Sequence, residues 1–169
     1  MLSERAIKYI NEYSVDIDKN IFSNLYSDLV YEDDETLTPE ITEAFTACGI
    51  DPLKTLDFIP ADYHRTHALD KVFIVPKQIK TIGSYSFEQT TGLETVFIPD
   101  GCMNIFAAAF ASSKDLKHIY IPYSVDTFGS MCIPSYVTMH CVKNSVAEEF
   151  AIHNKCNYEY NYTYPGETI

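Results

Sequence analysis

Three prolines, Pro76, Pro99 and Pro122, stand 23 residues apart, and the residues around them keep the same step. A leucine opens each unit (Leu69, Leu93, Leu116). Val72 and Ile74, Val96 and Ile98, or Ile119 and Ile121 lead up to the proline, with Val75 read as an insertion in the first unit. Three residues past each proline comes Ile79, Cys102 or Val125, six past it Ile82, Ile105 or Phe128, and eleven past it Phe87, Phe110 or Ile133. A fixed period of this size marks a solenoid. Each unit is too small to bury its own apolar face and does so only by stacking on its neighbours. The stacking repeat is that of a β-ladder, about 4.8 Å per turn.

The rest of the composition narrows the class. A chain of 169 residues with 46% hydrophobic content suffices for one compact domain, or a small cap joined to a short repeat array. It has no run of apolar residues long enough to span a bilayer. Residues 1–14 lack a basic stretch followed by an apolar one, so they read as a helix rather than a signal peptide. The five cysteines are odd in number and fit no disulfide framework, which points to reduced thiols in a cytoplasm.

The net charge of −12 is uneven: residues 1–60 hold 13 acids and 4 bases, and residues 61–169 hold 11 acids and 8 bases. That balance argues against binding a nucleic-acid backbone, which needs a basic surface. It fits either a basic protein partner or a plain solvated face.

Three segments are expected. Residues 1–50 read as a helical cap. Ser3 caps a first helix with Ala6, Ile7 and Ile10 on one side, and Ile21, Phe22, Leu25 and Leu29 line a second. Thr38 and Pro39 open a third, with Ile41, Ala44, Phe45 and Cys48 at helical spacing and Gly49 at its end. Residues 51–164 read as the repeat array, entered through a degenerate turn in which Phe58-Ile59-Pro60 matches the start of a repeat. After a last strand at 136–142, Ser145 opens a helix carrying Val146, Phe150 and Ile152. Tyr158, Tyr160, Tyr162 and Tyr164 then alternate as in a strand with one aromatic face. Residues 165–169 form a tail.

The unit Leu93-Glu-Thr-Val-Phe-Ile-Pro-Asp-Gly-Cys-Met-Asn-Ile-Phe-Ala-Ala-Ala-Phe resembles the BspA-like leucine-rich repeat, as does the unit from Val72 to Phe87. The segment Ser145-Val-Ala-Glu-Glu-Phe-Ala-Ile-His-Asn-Lys-Cys resembles the helix that ends such arrays. The resemblance covers about residues 56–160, with Phe106 where a glycine follows the second strand and Ile133 where a phenylalanine stands. It implies an α+β protein, a short leucine-rich-repeat β-solenoid with an N-terminal helical cap and a C-terminal helix plus strand. Members act as adhesins on bacterial and protist surfaces, and similar short, unexported proteins occur in bacteriophages. With no signal peptide read here, the expected compartment is the cytoplasm, that of a host cell if the chain is phage-encoded.

Alternation within the first strand of each unit puts Val72, Ile74, Val96, Ile98, Ile119 and Ile121 inward. Lys71 and Phe73, Thr95 and Phe97, and His118 and Tyr120 then face outward. Stacked, Phe73, Phe97 and Tyr120 make an aromatic ladder, with Thr138 next. Such a patch is either a contact surface or a cross-strand pairing that steadies the sheet. The expected binding residues are Phe73, Phe97, His118 and Tyr120 on this face and Asp33 and Asp34 in the acidic loop of the cap.

No catalytic residues, metal ligands or cofactor are expected. His64 and His67 have metal-ligand spacing but nothing nearby completes the set. His118 and His140 are expected on neighbouring strands, and a Cys141–His118 nucleophile pair is conceivable there, yet Cys141 and Cys102 both fall on the inward phase. The consecutive acids Glu32 to Glu35 diverge too much for paired acid–base work. No nucleotide-binding or hydrolase motif is present. Two functions follow. The first is a non-enzymatic module binding or inhibiting a protein, of which a nucleic-acid decoy is a variant. The second is an assembly protein that oligomerises through Tyr158, Tyr160, Tyr162 and Tyr164.

Overall fold

The computed structural model describes residues 57–59, 61, 63–66 and 69–165, and these form a β-solenoid of parallel strands. The helical cap expected over residues 1–50, with Asp33 and Asp34, lies outside the described residues. One wall is a four-stranded sheet in the order β1-β3-β5-β7: β1 Phe58–Ile59, β3 Thr81–Ile82, β5 Asn104–Ile105 and β7 Thr127–Phe128. The other is a five-stranded sheet in the order β2-β4-β6-β8-β9: β2 Val72–Ile74, β4 Thr95–Phe97, β6 His118–Tyr120, β8 Thr138–His140 and β9 Asn157–Glu159. A short helix α1, Tyr63–Thr66, lies in the entry turn, and α2, Val146–His153, precedes β9.

In the five-stranded wall β2, β4 and β6 are short because each runs out at a proline-marked corner, Pro76, Pro99 or Pro122, where the backbone N–H needed to continue the ladder is missing. The third wall is not a strand but still hydrogen-bonds turn to turn. Tyr85 N–H donates to Ala107 O, Phe87 N–H to Ala109 O, Ala108 N–H to Ser130 O and Phe110 N–H to Cys132 O. Its bend uses left-handed residues that recur with the repeat: Tyr85, Ala108 and Met131 at one position, and Gln89 and Ser112 at another.

Between the walls runs one continuous core. Ile79, Cys102 and Val125 line one row, Ile82 and Ile105 a second, and Val96, Ile98, Ile119 and Ile121 the side of the five-stranded sheet, all fully buried. The rings of Phe87 and Phe110 stack with centroids 5.1 Å apart and planes within 5°. Buried hydroxyls are satisfied along the stack. Thr90 Oγ1 lies 2.8 Å from Ser113 Oγ, which in turn donates to Phe87 O at 2.6 Å, as burial of polar groups requires.

The entry turn differs from the sequence expectation. Phe58–Ile59 is not the first strand of a repeat but the second, pairing with Thr81–Ile82. Ile59 occupies the place of Ile82. At the other end, α2 is capped by Ser145, whose side chain accepts from Glu148 N–H. It closes the core with Ala147, Ala151 and Phe150, whose ring stacks on Phe128 at 4.6 Å. Val146 and Ile152 of the same helix are exposed.

The alternating tyrosines do not continue as a strand. β9 stops at Glu159, and the chain turns back across the ends of the strands. Tyr162 OH donates to Ile98 O at 2.9 Å and Tyr164 OH to Val75 O at 2.7 Å, so successive tyrosines seal the carbonyls just before Pro99 and Pro76. Tyr164→Phe is expected to lower stability by about 1–2 kcal/mol, because the buried Val75 carbonyl loses its donor. Thermal melts of the two proteins check this, and identical midpoints would mean the strap is not docked.

Candidate functional site

The outer face of the five-stranded sheet carries two columns of side chains, each with one residue from every strand. One runs Val72, Thr95, His118, Thr138, Asn157; the other runs Ile74, Phe97, Tyr120, His140, Glu159. Between them Phe73, Val96, Ile119 and Met139 point into the core.

This register corrects the expected ladder at both ends. Phe73 is not outward: it is half-buried, with its ring 5.2 Å from Phe87 and 6.1 Å from Tyr63. Val72 and Ile74, expected inward, are 49% and 45% exposed. Val75 is no insertion. It precedes Pro76 as Ile98 precedes Pro99, and its N–H bonds Phe97 O as that of Ile98 bonds Tyr120 O. Counting from Val72 instead of back from the proline slides the unit by one residue, which moves every side chain to the other face. In the last turn, which is shorter than the others, Thr138 pairs with His118, and the ring next to Tyr120 is His140.

Phe97, Tyr120 and His140 form the ladder. Phe97 and Tyr120 stack at 4.3 Å, and Tyr120 and His140 at 4.1 Å with planes 10° apart. Because the rings cover one another's faces, what they present to solvent is their edges, with Ile74 extending the apolar strip by one turn. His118 stands in the adjacent column and its Nδ1 lies 3.0 Å from His140 Nε2. His140 Nδ1 lies 2.7 Å from Asn161 Oδ1 and 3.6 Å from Glu159 Oε2. The tail residue Asn161 thereby covers His140, which is only 4% exposed although it points outward. Beside the strand starts, Glu94 bridges Lys71 at 3.2 Å and Lys117 at 2.9 Å. The Lys117 ammonium, then Lys71, holds that carboxyl below its ordinary value.

The other candidates are placed as follows. His64 Nδ1 lies 3.0 Å from Ser86 O and serves the entry turn, while His67 lies outside the described residues. Among the described residues no three or more His, Cys, Asp or Glu are grouped to hold a metal ion. Cys141 is buried, and burial pushes its thiol up. Cys102, also buried, is pushed up to about 12 for the same reason. A nucleophilic cysteine needs the opposite shift. Of the four tyrosines proposed for assembly, Tyr162 and Tyr164 use their hydroxyls within the chain. Tyr158 and Tyr160 are exposed, and Tyr160 OH bonds the Glu148 carboxylate.

The sequence reading misses Ile74, Asn161 and Glu159 as parts of this face. Ile74 is legible from the proline register. Asn161 and Glu159 are not, since nothing local says that the chain folds back after β9.

The family comparison agrees with a repeat architecture. Residues 59–146 match the family model described as the BspA type leucine rich repeat region, in six copies. No curated protein matches the chain. Among solved structures, a leucine-rich repeat protein from Eubacterium ventriosum aligns at 26% identity over 45% of this chain and 21% of that one, with a TM-score of 0.40. A second, from Bacteroides ovatus, aligns at 26% identity over 52% of this chain and 24% of that one, with a TM-score of 0.36. The match spans about a fifth to a quarter of the length of these two proteins.

Proposed function

The chain belongs to the BspA-type leucine-rich repeat family, and on that premise we propose that it is a protein-binding module. Its contact surface is the outer face of the five-stranded sheet around Ile74, Phe97, Tyr120 and His118. Leucine-rich repeats generally mediate protein–protein contact, and their turns set side chains in regular columns on one face. The observation that carries the reading is the strip of ring edges and aliphatic surface from Ile74 to Tyr120, flanked by a half-buried histidine and by threonines. A sugar ring packs on an open aromatic face, and here both faces of Tyr120 and one face of Phe97 are taken by stacking, with Ile74 next in the column beyond Phe97. Ring edges suit the aliphatic and backbone groups of a protein, and aromatic anchors of this kind dominate protein interfaces.

The N-terminal 60 residues, with 13 acids against 4 bases, favour a basic partner. They would act through Asp33 and Asp34 by raising the association rate rather than by holding the complex. The four described cysteines are buried and unpaired, which fits a reducing compartment. Blocking a host protein's surface is the inhibitory form of this function. Assembly through β9 and Tyr158 is the competing reading, and light scattering of the pure chain separates the two.

The test compares variants rather than captures alone. Replacing Ile74, Phe97 and Tyr120 together by serine is expected to abolish partner capture. Phe97→Ser alone is expected to speed dissociation about tenfold or more, as loss of a central aromatic does, with the melting temperature little changed. Phe73→Ser is the contrast: it lowers stability, because that ring packs on Phe87 and Tyr63. Binding that survives the triple change would exclude this face.

A further inference from the structure

We infer that His118 is the polar anchor of the outer face, its Nε2 held as a hydrogen-bond acceptor for an N–H or O–H group of the partner by a chain of bonds that starts at the Glu159 carboxylate. The chain can be followed one proton at a time. A carboxylate only accepts, so Glu159 Oε2 takes its bond from Asn161 Nδ2 at 3.0 Å. That fixes which way the Asn161 amide is turned and points Oδ1 at His140 Nδ1, 2.7 Å away. An amide oxygen also only accepts, so His140 carries its proton on Nδ1. The Glu159 carboxylate, 3.6 Å from the same nitrogen, favours that placement.

With the ring neutral, His140 Nε2 is then a lone pair. It faces His118 Nδ1 at 3.0 Å, so His118 must donate from Nδ1. A neutral His118 protonated there keeps its lone pair on Nε2. Among the described residues no hydrogen bond is made to that atom, and His118 is half-buried between Thr95 and Thr138 of its column. His140, Asn161 and Glu159 are positioning residues. They set the tautomer and the ring angle of the side chain that offers the partner its hydrogen bond, as outer-shell partners do for functional histidines.

The consequence is specificity. A partner that sets an N–H or O–H opposite His118 completes the chain. One that sets a carbonyl or carboxylate there leaves two acceptors facing each other across an apolar strip, and is rejected. Naming the partner's group rests on the protein-binding reading. The proton arrangement is a property of the free chain and is tested on it.

Long-range ¹H–¹⁵N spectra of the free protein, at a pH where both rings are neutral, are expected to show His118 and His140 each protonated on Nδ1. A His118 protonated on Nε2 would overturn the inference. Asn161→Ala is expected to release the bias, so that His118 turns partly or mainly to the Nε2–H form. An unchanged His118 in a folded N161A protein would overturn the role of the chain. Glu159→Gln, on an exposed side chain, gives the same reading if N161A does not fold: a weaker shift in the same direction is expected, and no shift counts against it. For a captured partner, His118→Phe keeps a ring of similar shape and removes the acceptor. A loss of about tenfold in affinity is expected, the worth of one hydrogen bond. Tautomers as stated with undiminished binding by H118F would sink the anchor role while leaving the docking face standing.

Discussion

Phe110→Ala is expected to lower the stability of the chain by about 3–5 kcal/mol, the usual cost of truncating a buried phenylalanine. Phe110 is fully buried in the centre of the stack, and its ring lies parallel to that of Phe87 with centroids 5.1 Å apart. Its backbone N–H also bonds Cys132 O, so the residue links three consecutive turns. Truncation removes the transfer energy of the ring and leaves a cavity between turns that are held by β-ladders and cannot collapse freely. In a repeat protein the damage spreads, because each turn is stabilised chiefly by its neighbours. Against a typical total of about 5–15 kcal/mol, such a loss leaves the array near its limit. Urea denaturation followed by circular dichroism measures it, a suitable probe for a chain with no tryptophan. A change under about 1 kcal/mol would mean that the aromatic row is not the spine of the core.

The second large effect comes from adding one carbon. A Cβ placed on Gly129 would lie 2.3 Å from Ala107 N, 2.6 Å from Phe106 C and 2.8 Å from Ala107 Cα. All three are backbone atoms of the preceding turn, to which Gly129 N–H is bonded through Ile105 O at 2.8 Å. There is no flexible side chain to move aside. Gly129→Ala must push two turns apart and is expected to cost about 3 kcal/mol, the upper part of the range for overpacking. Gly101 is the control. Its φ of +95° strains any other residue, but nothing lies within 4 Å of its Cβ position. Gly101→Ala should therefore cost only about 1–2 kcal/mol, the penalty of a left-handed backbone. Melting both variants side by side decides the matter. If G101A is the more damaging, the turns at Gly129 are not in close contact.

Much of this architecture is legible in the order of residues alone. The recurrence of Leu, Ile-Pro and Phe at a spacing of 23 residues dictates stacked turns, because no single unit can hide its own apolar residues. The inward placement of Ile79, Cys102, Val125, Val96, Ile98, Ile119 and Ile121 follows from phase, as does the burial of Cys141. So does the expectation that His118 and His140 lie on neighbouring strands. These are properties of a period, and a period needs no knowledge of distant contacts.

What the tertiary structure decided was register and return. Whether Phe73 or Ile74 joins Phe97 in the outer column depends on a single residue of offset: counting back from the proline gives Ile74, counting on from Leu69 and Val72 gives Phe73, and the pairing of β2 with β4 decides for Ile74. Two-residue alternation makes either choice look regular, so composition cannot settle it. The tail is the stronger case. Tyr158, Tyr160, Tyr162 and Tyr164 alternate as a strand does, yet Tyr164 bonds Val75, 89 positions earlier in the chain. No local preference encodes that contact. It forms because the corners before Pro76 and Pro99 present the Val75 and Ile98 carbonyls, and the returning chain supplies their donors. Asn161 is carried to His140 by the same return, so the polar half of the outer face exists only once the solenoid has folded and the tail has crossed it.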